Sequence, residues 1–256
     1  MDALLNATIH TGDAVHTDSA VLLDGGRIVA VVPAAAVPAG AARGDLHDFG
    51  GGVLAPGFID LQVNGGGGVL FNDRPDVAGV AAIALTNHGE VGDNLVLAPR
   101  LAAVGVTLLH GVEISTPLGD FVVFSPDLDF LATLKPVQAP LRPEAIPGHA
   151  AVVWVHPAAG GGMSGAPYLP GAETLLAGAV HAVEVYNGNW PDARYVDEAR
   201  RIAEQLGLPM TGGSDAHAVE RLMTCYTQVE ALVEDTADLV AALRHGRVRP
   251  QRPETR

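Results

Sequence analysis

Apolar residues gather in short runs along this chain, and most runs close on polar or ionisable side chains. Residues 4–9, 20–23 and 28–32 are apolar or β-branched, and Asp24-Gly25-Gly26 between the last two carries the residues of a hairpin turn. Residues 37–44, rich in Ala, Pro and Gly, read as a loop. Residues 49–56 then lead into Gly57-Phe58-Ile59-Asp60-Leu61-Gln62-Val63-Asn64, a buried strand with a polar end. From residue 81 a unit recurs: an apolar strand, polar groups at its C-terminal end, and often a helix. Residues 81–85 run into Thr86-Asn87-His88-Gly89, 106–109 into Gly111-Val112-Glu113, and 152–155 into His156-Pro157. Residues 182–186 run into Asn187-Gly188, and Met210-Thr211 into Gly212-Gly213-Ser214-Asp215-Ala216-His217. Residues 121–124 read as a hairpin partner. Helices are expected over the stretch with Leu95, Leu97, Leu101 and Val104 as its inner face (Pro99 a point of interruption), over 196–206 closed by Gly207, and over 239–245. Strands alternating with helices imply a parallel sheet, and polar groups at strand C-termini mark the active face of a (β/α) barrel. Fewer than eight such units are legible, so the barrel is expected to be distorted or incomplete.

Composition narrows the class of function. The 256 residues suffice for one barrel-sized domain, or a core domain with a small appendage, and 48% hydrophobic against 17% charged residues marks a core-forming chain. The net charge is −14 and Lys135 is the only lysine. No basic stripe exists, which excludes a nucleic-acid partner. Cys225, the single cysteine, rules out an intrachain disulfide. Residues 1–12 lack the basic start and apolar core of a signal peptide, and the longest apolar runs, such as 77–85, are too short to span a bilayer. A cytoplasmic, enzyme-like protein with no membrane partner is the expectation.

The candidate chemistry stands at the strand ends: His88, Glu113, His156, Asp215 and His217. Imidazoles and carboxylates converging on one barrel mouth would suit one or two divalent transition ions, Zn, Mn or Fe. An isolated histidine is more often a hydrogen-bonded core or loop residue, yet equivalent placement of the whole set favours a site. Glu113 is the strongest single case, because it follows the apolar run 106–112, where an unpaired carboxylate is costly to bury. Strand alternation would aim Asp215 and His217 at one centre. Gly160-Gly161-Gly162-Met163-Ser164-Gly165 reads either as an anion-binding nest or as a connector, and neither it nor Gly65-Gly66-Gly67-Gly68 has P-loop spacing.

Two resemblances divide the chain. Ala55-Pro56-Gly57-Phe58-Ile59-Asp60-Leu61-Gln62-Val63-Asn64-Gly65-Gly66-Gly67-Gly68 with Phe71-Asn72-Asp73 resembles the start of N-acetylglucosamine-6-phosphate deacetylases of the amidohydrolase superfamily, as do residues 24–32. That likeness covers residues 1–83 and implies a small β-sandwich, with Gln62 and Asn64 lining the metal pocket. The later stretch carries Thr86-Asn87-His88, Gly111-Val112-Glu113-Ile114-Ser115-Thr116, His156-Pro157, Glu184-Val185-Tyr186-Asn187 and Gly213-Ser214-Asp215-Ala216-His217. Over residues 84–250 it resembles the PHP (polymerase and histidinol phosphatase) family of metal-dependent phosphoesterases. This likeness implies a distorted TIM-like (β/α)7 barrel and puts His88, Glu113, His156, Asp215 and His217 on metal-ligand positions. The family's opening Asp-x-His-x-His-Thr motif is replaced here by Asp60-Leu61-Gln62-Val63-Asn64, and Asn87 stands where an Asp is usual.

The domains expected are a small, incomplete N-terminal β-sandwich over 1–55 and a metallohydrolase barrel over 56–250. The leading function is a phosphoesterase acting on a small phosphorylated metabolite through metal-activated water, with Asp215 and His217 catalytic and Gln62, Asn64, Asn187 and Arg221 meeting the substrate. Deacetylation of an N-acetyl amino-sugar phosphate is the alternative, and a catalytically silent ligand-binding barrel the second. Residues 248–256, polar and Pro-containing, are read as contributing no strand. The N-terminal segment is therefore expected to keep an open strand edge and an apolar patch, which a homodimer would cover.

Overall fold

A computed structural model describes residues 2–11, 14–25, 27–37, 46–54, 58–63, 80–135, 142–159, 178–217 and 221–252. The chain divides into two compact units, Met1–Gly57 and Phe58–Arg256.

The first unit holds β1 (Asp2–His10), β2 (Val15–Asp24), β3 (Arg27–Pro33) and β4 (Leu46–Leu54). β1, β2 and β3 form an antiparallel meander, and β4 joins β1 in parallel, giving the order β3-β2-β1-β4. Ala3, Ala7, Ile9, Ala20, Val21 and Leu22 are buried, whereas Ile28, Val29, Leu46, Phe49 and Val53 are exposed. The described residues make one sheet where a sandwich was expected, and β3 and β4 are its edges. The turn glycine Gly25 takes a left-handed φ of 56°.

The second unit winds a nine-stranded sheet into a nearly closed barrel. β5 (Phe58–Val63), β6 (Val80–Leu85) and β7 (Thr107–Thr116) pair in parallel. β8 (Gly119–Phe124) returns as a hairpin and pairs antiparallel with both β7 and β9 (Ala151–Val155). β9, β10 (Ala182–Asn187) and β11 (Met210–Gly213) again run in parallel. The hairpin breaks the strict alternation of strand and helix. Phe121, Val123, Val152, Trp154, Val183 and Val185 belong to the largest buried cluster.

Around the barrel lie α1 (Gly92–Ala102), α2 (Leu128–Thr133), α3 (Ala193–Leu206) and α4 (Thr236–Arg244). In α3, Asp192 accepts a hydrogen bond from the Tyr195 N–H at 3.0 Å, and Gly207 ends the helix in the left-handed region. Its inward residues Tyr195, Val196, Ala199, Ile202 and Ala203 recur at helical spacing.

Two expectations are corrected. Leu97 and Leu101 of α1 are buried, but Leu95 and Val104 are exposed; Asn94, three residues before Leu97, shares the inner face instead. Pro99 sits inside the helix without ending it. The polar tail also forms a strand, β13 (Val248–Gln251), antiparallel to β12 (Tyr226–Val229), which pairs with β5 at Thr227↔Ile59. Pro250 is tolerated because β13 is the last strand in the order and leaves its outer side unpaired.

Side chains close the barrel at its seam. Asp60 accepts from the backbone N–H groups of Ser214 (3.0 Å), Met223 (3.2 Å) and Gln62 (3.3 Å). The Asp215 N–H donates to the Gln62 carbonyl at 2.9 Å, and the Ser214 hydroxyl to the same oxygen at 3.2 Å. β11 is also fastened to β12, since the Thr227 hydroxyl donates to Gly212 O at 2.7 Å and accepts from Gly212 N–H at 3.0 Å.

Candidate metal centre

Glu113 is the hub of a buried polar cluster inside the barrel. Its Oε1 lies 3.2 Å from His156 Nε2, and its Oε2 accepts from the Gln62 amide at 3.3 Å, with His88 Nε2 at 3.9 Å. His156 Nδ1 in turn lies 3.9 Å from Asp120 Oδ2. The His156 backbone N–H donates to Glu184 Oε2 at 3.0 Å. Asn187 ties the two sides together, its Nδ2 reaching Glu184 Oε2 at 2.9 Å and both Gln62 Oε1 and Asp215 Oδ2 at 3.4 Å.

Backbone geometry aims these groups. Glu113 lies within β7, not at its end, and His88 meets it through an isolated parallel bridge beyond the end of β6. His156 follows β9 directly with φ +32°, and Asp215 has φ +50°. Both are sparsely populated conformations for residues with a Cβ, and such backbone costs on the order of 1–3 kcal/mol each. Gly213 leaves room for the cluster: a Cβ there would lie 2.7 Å from Glu184 Oε1 and 2.9 Å from Gln62 Cβ.

The structure thus brings together Gln62, His88, Glu113, His156, Asn187 and Asp215. His217 adjoins this set through Asp215. β11 ends at Gly213, so strand alternation does not reach Asp215 and His217. The His217 side chain is 51% exposed, with Nδ1 2.9 Å from the Asp215 carbonyl oxygen and 3.7 Å from Asp215 Oδ1. Arg221 Nη2 donates to Gly188 O at 3.3 Å and to Asn189 Oδ1 at 3.2 Å, and Asn189 Nδ2 donates to Asp215 O at 2.8 Å. Asn64 and both glycine-rich stretches lie outside the described residues.

Asp120 and Glu184 were missed. Asp120 looks like a hairpin-turn residue until β7 and β8 pair Ser115 with Asp120 and so carry it to His156. Glu184 had a legible signal: a carboxylate inside the apolar strand 182–186, the same cue that singled out Glu113.

Burial first, and then neighbouring carboxylates, govern the electrostatics. Burial pushes Glu184 up to about 8 against the opposing pull of His156 and the Asn187 hydrogen bond. Burial would depress His156, but the Glu113 hydrogen bond and the charges of Glu113, Glu184 and Asp215 outweigh it and raise the imidazole to about 9. Burial raises Asp120 too. The cluster is therefore short of positive charge. Ligand atoms of Glu113, Asp120 and His156 lie within 4.8 Å of one another, while Asp120 Oδ1 and His88 Nδ1 are buried without a hydrogen-bond partner. This mixture of carboxylate oxygen and imidazole nitrogen fits a divalent transition ion.

Comparison with known proteins divides the chain as its motifs do. Two family models match, each over its own stretch. The NagA composite domain matches residues 1–48, and the PHP-associated domain matches 194–248. The N-acetylglucosamine-6-phosphate deacetylase of Haemophilus influenzae is 44% identical over 85 residues, which are 33% of this chain and 22% of that enzyme. Among solved structures, PsfC from Pseudomonas syringae PB-5123 superposes with a TM-score of 0.56 at 20% identity over 78% of this chain and 91% of its own. A two-domain protein from Bacteroides vulgatus, described as containing a predicted PHP-like metal-dependent phosphoesterase, gives 0.58 at 20% identity over 76% and 64%. These likenesses show a shared fold. No helix among the described residues is long and apolar enough to cross a membrane.

Proposed function

We propose that the barrel unit is a metal-dependent hydrolase that cleaves a small phosphorylated metabolite at phosphorus. The observation that carries this reading is the set Glu113, Asp120 and His156, linked to Glu184 by the His156 N–H and to Asp215 through Gln62 and Asn187. Glu113, Asp120 and His156 would hold the ion, with His88, Asp215 and His217 at its margin. One or two divalent ions of the Zn, Mn or Fe kind bound there supply a Lewis acid and lower the pKa of a bound water to about 7. Asp215, buried beside Asn187, accepts the proton of the attacking water, and half-exposed His217 next to it passes that proton to solvent. Gln62 and Asn187 hold the carboxylates in register and are the amide donors a phosphoryl oxygen meets on entering.

The likeness to PHP-type phosphoesterase folds supports phosphorus as the centre attacked. The 44% identity to a deacetylase favours a second reading, attack on the amide of an N-acetyl amino-sugar phosphate with the same residues. The Gln62 amide, standing beside Glu113 where the PHP resemblance calls for histidine, favours a third, a silent binding barrel. Protein purified without chelator is expected to carry at least one transition ion per chain and to turn over p-nitrophenyl phosphate but to release no acetate from N-acetylglucosamine 6-phosphate. Glu113→Ala is expected to lower metal affinity by about 100-fold or more. Unchanged metal content in that variant removes Glu113 from the site, and a metal-loaded but inactive protein selects the silent barrel.

A further inference from the structure

A second feature of the barrel unit adjoins Asn187. It is a cleft of about 930 Å³ whose walls include Tyr186, Trp190, Arg221, Cys225 and Arg252, with Asn187 in its lining. The chain carries 29 acidic against 15 basic residues, yet among the described residues this lining holds two arginines and no carboxylate. Among the described residues neither guanidinium forms an ion pair with a carboxylate.

Both cations line the cleft, each held by uncharged groups among the described residues. Arg252 sits over the Tyr186 ring at 5.0 Å from its centroid. Among the described residues Arg221 is held by oxygens of Gly188 and Asn189, both neutral acceptors. Gly188 is needed there, because a Cβ would overlap the Thr224 hydroxyl and the Ser214 carbonyl. Trp190 packs one face on Tyr195, ring centroids 6.4 Å apart at 25°, and remains 39% exposed. An exposed indole in a cleft lined by two guanidinium groups is a surface for a flat organic anion.

We infer that this cleft binds an aryl or heteroaryl phosphate or phosphonate, with Arg221 and Arg252 on the anion and Trp190 against the ring. Calling this ligand the substrate rests on the hydrolase reading; the binding itself does not. Asn187 joins the two places, since it lines the cleft and also donates to Glu184 and Asp215.

Phenylphosphonate, which offers no P–O ester to cleave, is the probe. It is titrated into the full-length, chelator-treated protein while tryptophan fluorescence is followed. Of the two tryptophans Trp154 is buried, so Trp190→Phe is the control that should remove the response. Saturable quenching is expected, weakened roughly tenfold or more by Arg252→Gln and by Arg221→Gln, with benzyl alcohol giving no response. Arg252 is an exposed residue, so its variant is not expected to unfold the chain. Equal responses to phenylphosphonate and benzyl alcohol overturn the proposal, as does unchanged affinity when both arginines are replaced. The Glu113→Ala protein should bind the probe like the parent. A parent protein that holds no metal and turns over no phosphate ester, with this binding intact, defeats the hydrolase reading alone, and turnover without arginine-dependent binding defeats the cleft alone.

Discussion

The sheet of residues 1–57 and the barrel of residues 58–256 are built from strands of similar composition but treat their exposed faces oppositely. In the barrel unit Phe121, Phe124 and Trp154 are fully enclosed, and the sheet curls until β11 is fastened to β5 and β12. In the N-terminal sheet, Ile28 is 70% and Val53 65% exposed, both on the edge strands β3 and β4. A nearly closed sheet leaves little edge to cover, whereas an open one needs a partner or a cover. The difference teaches where stability should reside. Enclosed apolar area supports the barrel, and the small sheet carries apolar area that yields stability only when something covers it.

The sharpest way to break this contrast is to truncate matched apolar residues. Phe124→Ala, at a fully buried site, is expected to cost about 3–5 kcal/mol in denaturant unfolding. A loss under 1 kcal/mol would mean the barrel interior is not packed as described. Asp60→Ala should come next, at about 1–3 kcal/mol, because it strands backbone N–H groups at the seam that Asp60 now satisfies. Metal affinity should fall with it, since Gln62 and Asp215 meet across that seam.

A smaller, pH-dependent effect is expected at His181. Burial chiefly, and then the charge of Arg244, depress its imidazole from 6.5 to about 4, while its Nδ1 accepts the Val152 N–H at 3.1 Å. The unfolded imidazole takes up a proton as pH falls through 6.5, and the folded one resists until about 4. Stability contributed by this group is therefore complete above 6.5 and lost progressively below it. His181→Asn should flatten the fall in Tm across that window, and an unaltered profile would show that other groups govern it. The smallest effect is expected from Ile28→Lys with Val53→Lys, within about 0.5 kcal/mol of the parent. The same pair should convert a dimer to a monomer in light scattering, and a parent that is already monomeric would show that the open sheet does not self-associate.

Much of the barrel was legible because its strands are near-continuous apolar runs with polar ends: residues 152–155 and 182–186 became β9 and β10 almost to the residue. α3 was marked by Gly207 and by helical spacing. What escaped was whatever depends on partners distant in sequence. β13 is polar and contains Pro250, and is a strand only because β12 lies beside it. Asp120 acquires its place from register across a hairpin, and the inner face of α1 was misjudged because buried Asn94 is polar. Six of the residues singled out at the sequence level, Gln62, His88, Glu113, His156, Asn187 and Asp215, meet in space, and His217 stands beside Asp215 with a half-exposed side chain.

The clasp between Ser214 and the Gln62 carbonyl joins positions 152 residues apart. During synthesis the early donors, Gln62 through His156, must therefore wait until most of the chain has emerged before the centre can assemble. Nascent chains halted before that clasp would expose acidic groups prematurely, so a capacity to capture ions should arise late and abruptly as the polypeptide lengthens.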